Sequence, residues 1–132
     1  GIRDFCLSRG LGDVYKRQNF TVKEFACKDG SDAVLTAPRL VMVLQSIRSH
    51  FAAPVVIHSA YRTPQYNAKV GGAAHSQHCY GTAADISVRG QTPAAVAAYA
   101  RTLMPDWGGV GVYAGQGFTH VDVREARADW NG

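Results

Sequence analysis

The sequence predicts an α+β domain with an antiparallel sheet flanked by helices. Helix-forming segments come first, strand-forming segments dominate the second half, and the strands are joined by short glycine-containing links rather than by regular βαβ alternation. The chain has 132 residues, 46% hydrophobic and 18% charged, which suits one core and is short for two. No apolar run approaches the roughly 18 residues of a membrane span.

Residues 1–18 show neither helical nor strand periodicity, and the string GLGDVYKRQ resembles translated library-adapter sequence at the ends of metagenomic reading frames. The segment is therefore set apart as non-native, leaving 19–132 as the domain. It shows no basic, apolar and small-residue pattern of a secretory signal. Thr21 and Glu24 have the spacing of a capping box opening a short helix that carries Val22 and Phe25. Thr36 is positioned to cap a second helix with Pro38 in its first turn, and Leu40, Val43, Leu44, Ile47 and Phe51 then recur on one face. Residues 54–59 (PVVIHS) form a β-branched run that reads as a buried strand. Pro64 opens a short helix through Lys69, and the Gly71–Gly72 pair begins a loop reaching to Gly81. A strand is expected over 82–88, an alanine-rich helix from Thr92–Pro93 to before Pro105, and a hairpin from strands at 109–113 and 118–124.

The formal charge of +4 sits partly in residues 1–18, and no Lys/Arg cluster interleaves with aromatics, so a nucleic-acid partner is not expected. The glycine pairs precede no helix as a phosphate loop must, which argues against nucleotide binding. Cys6, Cys27 and Cys79 make an odd count without CxxC spacing, so they read as free thiols rather than as a disulfide framework or a cysteine zinc knuckle. His50 and His58 read as structural histidines.

The chemistry concentrates in residues 76–85 (SQHCYGTAAD). His78 lies on a glycine-containing loop, and Asp85 lies on the following strand, where a carboxylate among small apolar neighbours demands a partner. Downstream, 118–124 (FTHVDVR) alternates strictly, so Phe118, His120, Asp122 and Arg124 face one way. His78, Asp85 and His120 together offer two imidazoles and one carboxylate. That is the three-ligand set of a catalytic zinc site, which keeps its fourth position open for water.

The pattern SxHxxGxAxD followed by a strand HxD resembles the zinc D-Ala-D-Ala carboxypeptidase family, which includes phage endolysin peptidases and shares its fold with the hedgehog signalling domain. The likeness runs from about Asn19 to Trp130 through NFTVKEFACKDG, SAYRTPQYN, VGGAAHSQHCYGTAADI, GGVGVY and FTHVDVR, in the family's order. It implies a zinc peptidase acting on peptidoglycan stem peptides, as a carboxypeptidase or an endopeptidase, plausibly in phage lysis, with the cell wall as its place of action. It assigns zinc to His78, Asp85 and His120, a substrate carbonyl or carboxylate to Arg62, and a place lining the substrate site to Ser76. Tyr61, beside Arg62, is taken as a substrate-site aromatic. Many relatives carry Glu or Asp three residues before the last zinc histidine, where this chain has Gly117. Asp122 is the substitute candidate for the base, with orientation of His120 as its other role, and His75 is a further candidate. A monomer is expected. The alternative reading is a non-catalytic module that keeps zinc and fold but binds cell wall or a protein partner.

Overall fold

The computed structural model describes residues 20–31 and 33–132. The segment 1–18 set apart above lies outside the described residues, as does Cys6. A five-stranded sheet is built from β1 (Val55–Ser59), β2 (Ala83–Val88), β3 (Gly109–Tyr113), β4 (Phe118–Asp122) and β5 (Ala128–Asn131), in the spatial order β1-β2-β4-β3-β5. Three helices, α1 (Pro38–Phe51), α2 (Pro64–Lys69) and α3 (Pro93–Leu103), complete the α+β architecture. No described helix is long and apolar enough to cross a membrane.

Strand alternation divides the sheet into two faces. Ala84, Ile86 and Val121 point to the side covered by α1 and α3, where they join Leu40, Leu44, Ile47, Val96 and Ala100 in the buried core. The opposite face is left for polar side chains. β2 and β4 pair antiparallel with Asp85 directly across from His120, so two polar groups in adjacent strands meet by register alone.

Local chemistry fixes the connections. The Thr21 backbone N–H donates to Glu24 Oε1 at 2.8 Å, the reciprocal half of the expected capping box, but the helix it opens is a single 3₁₀ turn, Val22–Phe25. Thr63 caps α2 and Thr92 caps α3, each hydroxyl accepting a backbone N–H. The cap of α1 differs from expectation: it is Ala37, while Thr36 is buried and its hydroxyl has no hydrogen-bond partner among the described residues. The Ala37 N–H instead donates to the Gly81 carbonyl at 2.8 Å, tying the start of α1 to the loop before β2.

Two further features depart from the sequence reading. The loop between α2 and β2 contains a 3₁₀ turn, Gln77–Tyr80, started by Ser76 and closed by Gly81 in the left-handed region at φ 73°. The sheet also gains a fifth strand, β5, which runs parallel to β3, so it is mixed rather than wholly antiparallel. Arg101 secures that strand by donating to the carbonyls of Trp107, Gly108 and Ala128 and to Asp129 Oδ1. A guanidinium in the last turn of α3 thus ties together backbone carbonyls where β3 and β5 begin.

Gly81 is the most constrained turn residue, because a Cβ there would overlap the Leu35 carbonyl as well as require a left-handed L-residue. Gly81→Ala is expected to destabilise the domain by about 2 kcal/mol or more, read as a lowered urea midpoint. An unchanged midpoint would contradict this account of the turn.

Candidate functional site

The 3₁₀ turn presents His78, β2 presents Asp85 and β4 presents His120. One potential ligand atom from each lies within 4.8 Å of the others. All three are buried, at 3%, 7% and 8% exposure, on the floor of a cleft of about 640 Å³.

The hydrogen bonds behind the rings determine what they offer in front. His78 Nδ1 lies 2.6 Å from the Ala60 carbonyl, which can only accept, so Nδ1 carries a proton and Nε2 faces Asp85 Oδ2 at 3.3 Å. His120 Nε2 donates to Asp122 Oδ2 at 2.8 Å, and its Nδ1 faces Asp85 Oδ1 at 2.9 Å. With both rings neutral, two lone pairs and a carboxylate would converge on one point. A cation is the species that satisfies all three. Without a metal, protons take that place. Burial opposes ionisation of Asp85, but the hydrogen bonds from His120 and His78 outweigh it and hold its carboxyl far below the usual range. Burial likewise opposes protonation of His120, and its bonds to Asp122 and Asp85 reverse that and raise its pKa.

Arg62 reaches the same cleft from the segment after β1. Its Nη2 donates to Asp85 Oδ2 at 3.4 Å, and its backbone N–H donates to the His78 carbonyl at 3.1 Å. Ser76 lines the cleft, and its hydroxyl accepts the His78 N–H at 3.2 Å, so it shapes the turn that carries the ligand.

Asp122 stands behind His120 rather than in the cleft, with no exposed surface. Its Oδ1 accepts from the Gly109 N–H and from Arg124 Nε, and its Oδ2 from His120 and Arg124 Nη2, so both oxygens are occupied. Burial would raise its pKa, and the bonds from His120 and Arg124 overturn that and keep it ionised. Tyr61 falls outside the cleft, because consecutive residues of extended chain point opposite ways. Burial raises its hydroxyl pKa, and Cys27 and Cys79, both free thiols, are near enough to act on it. His75 does line the cleft, with an uncommon left-handed backbone at φ 82°. Gly117 lies in the β3–β4 turn at φ 78°, exposed, with open space where a side chain would project. His50 stacks on Tyr99 and His58 bonds Ser87, and neither lines the cleft.

A family model described as Peptidase M15 matches residues 14–122. The chain belongs to the M15 peptidases, the zinc D-Ala-D-Ala carboxypeptidase family. No curated protein matches it. M15 peptidases are zinc-dependent and act on the cell wall, and in this member a His-Asp-His group able to bind a metal lies within the matched residues.

Three further cleft residues carry weight in this M15 peptidase. Arg124 grips Asp122 with two nitrogens, and its guanidinium also lies 5.3 Å from the Trp130 ring. Trp130 tilts over His120 at 5.0 Å and donates its indole N–H to the Tyr113 hydroxyl at 2.9 Å. Tyr113 in turn stacks on Phe118 at 4.5 Å. The strand alternation already placed Arg124 on the face of His120, whereas Trp130 lies on β5, whose four residues give no periodic signal.

Because a proton on His120 Nδ1 competes with a metal there, divalent-metal affinity is expected to fall as pH drops through the raised His120 pKa and to level off above it. Asp85, ionised throughout, adds nothing to that slope. Competition with a chromophoric chelator across the histidine range measures this. A pH-independent affinity would contradict the proton assignment.

Proposed function

We propose that this M15 peptidase hydrolyses peptide bonds of peptidoglycan stem peptides, as a D-Ala-D-Ala carboxypeptidase or an endopeptidase, with zinc held by His78 Nε2, Asp85 and His120 Nδ1. The supporting observation is the convergence of two imidazole nitrogens and one carboxylate on the floor of a cleft, beside Arg62. A structural zinc site closes with four protein ligands, whereas this set has three and opens to a cleft. When bound, zinc lowers the pKa of water and polarises the scissile carbonyl.

The chain's own residues do the rest. Arg62 presents its guanidinium to the substrate carbonyl or carboxylate and stabilises the negative charge that develops there. Asp122, buried and fully bonded, fixes the ring and tautomer of His120. The proton-accepting role goes to His75. Among the described cleft residues Asp85 is the one carboxylate, and His75 is the one imidazole outside the ligand set. Trp130, Tyr113 and Phe118 form an apolar wall against which the peptide lies. The domain is assigned to residues 19–132 and acts as a monomer, and a lysis enzyme of phage origin is the setting that suits it.

Gly117 supports a second reading, a zinc-containing module that binds cell wall or a protein partner without cleaving, because the turn projects no carboxylate towards the cleft. One experiment separates the two. The purified chain is assayed for bound zinc and for amine release from peptidoglycan, with and without chelator. Bound zinc and chelator-sensitive release are expected. Full zinc occupancy with no cleavage of any peptidoglycan type would leave the binding module. His75→Ala is expected to lower kcat with zinc retained, whereas Asp122→Asn should weaken zinc binding by roughly 10- to 100-fold. Unchanged turnover in the first variant, or unchanged affinity in the second, would overturn the respective role.

A further inference from the structure

The guanidinium of Arg62 is held by three acceptors: Nε donates to Ser59 Oγ at 3.1 Å, Nη2 to Asp85 Oδ2 at 3.4 Å, and Nη1 to Asn67 Oδ1 at 3.3 Å. Of these, Asn67 has no part in the metal site. It lies on α2, buried at 5% exposure, and its amide is used at both ends. While Oδ1 accepts from Arg62, Nδ2 donates to the Ala73 carbonyl at 2.8 Å, and the Asn67 backbone carbonyl accepts the Gly72 N–H at 2.8 Å. A guanidinium can only donate and a carbonyl can only accept, so the two partners fix the amide's orientation between them.

Gly72 completes the arrangement. A Cβ there would overlap Asn67 Oδ1 and stand 3.1 Å from Arg62 Nη1, so the absence of a side chain lets the loop close over the amide. Gly72 and Ala73 also line the cleft opposite β4. The side chain of Asn67 therefore joins the cleft lip to the guanidinium.

We propose that Asn67 is a positioning residue of the peptidase, setting the direction of the Arg62 guanidinium and the height of the Gly72–Ala73 lip together. The inference rests on the reading of Arg62 as the substrate-contacting arginine. An amide suits this task because it serves a donor and an acceptor at once, which neither alanine nor leucine can do. The arrangement leaves one N–H on each of Nη1 and Nη2 available to a substrate oxygen.

Asn67→Ala and Gly72→Ala should act alike, the first by removing the amide and the second by displacing it. Each is expected to leave zinc content unchanged, to merge the resolved Nη resonances of Arg62 in nitrogen NMR spectra, and to lower kcat/KM by roughly 100-fold. Asn67→Asp keeps an oxygen facing Arg62 and should restore the resolved resonances. Distinct Nη resonances persisting in either the Asn67→Ala or the Gly72→Ala protein would overturn the proposal. Gly72→Ala preserves Asn67 and so decides the matter even if Asn67→Ala fails to fold. The NMR readout needs no turnover: merged resonances alongside a wild-type protein that cleaves nothing would uphold the positioning and defeat only the peptidase reading.

Discussion

The site depends on the register that sets Asp85 of β2 directly across from His120 of β4. A one-residue slip of β2 would put Asp85 and His120 on opposite faces of the sheet and turn Asp85 into the apolar layer under α1 and α3, where an ionised carboxylate cannot be accommodated. The core enforces the register, because Ala84, Ile86 and Val121 pack against the helices only when Asp85 and His120 face the cleft. Hydrophobic burial on one side of the sheet thus positions a buried charge on the other. His78 joins from outside the sheet, held by the Ala60 carbonyl through its ring and by Ser76 through its backbone.

Charge alternates outward from that pair. Asp85 lies between Arg62 and the two imidazoles, His120 between two carboxylates, and Asp122 between His120 and Arg124. Each buried ion has an opposite partner and further hydrogen bonds, the condition under which charges persist at low exposure. A divalent cation bound beside Asp85 would take the place of the protons between it and the two imidazoles. The back-of-ring bonds to Ala60 and Asp122 fix which nitrogen of each histidine faces it.

Much of this was legible in the sequence because it depends on local or periodic signals. The β-branched run of β1, the alternation of β4, the apolar face of α1 and the proline-started helices α2 and α3 stand where the pattern put them. The grouping of His78, Asp85 and His120 followed from their residue types and the strand alternation together with the resemblance to the peptidase family. The unread features were non-local. β5 is four residues long and is held by pairing with β3 and by Arg101 from a distant helix, so Trp130 gave no sign that it would roof His120. Thr36 has the chemistry of a helix cap, but the bond from the Ala37 N–H to Gly81 starts the helix one residue later. Asp122 and Tyr61 illustrate a different limit: alternation tells which face a residue takes, but not whether its neighbours leave it open to the cleft. Five donor contacts close off Asp122.

The central claim is that His78, Asp85 and His120 together hold one metal ion, and a zinc-edge anomalous difference map from crystals of the purified protein tests it most directly. The account predicts a single strong peak within bonding distance of His78 Nε2, an Asp85 carboxylate oxygen and His120 Nδ1, with Asp122 still bonded to the far nitrogen of His120. A map with no peak in the cleft, or with zinc bound through His120 Nε2, would contradict it.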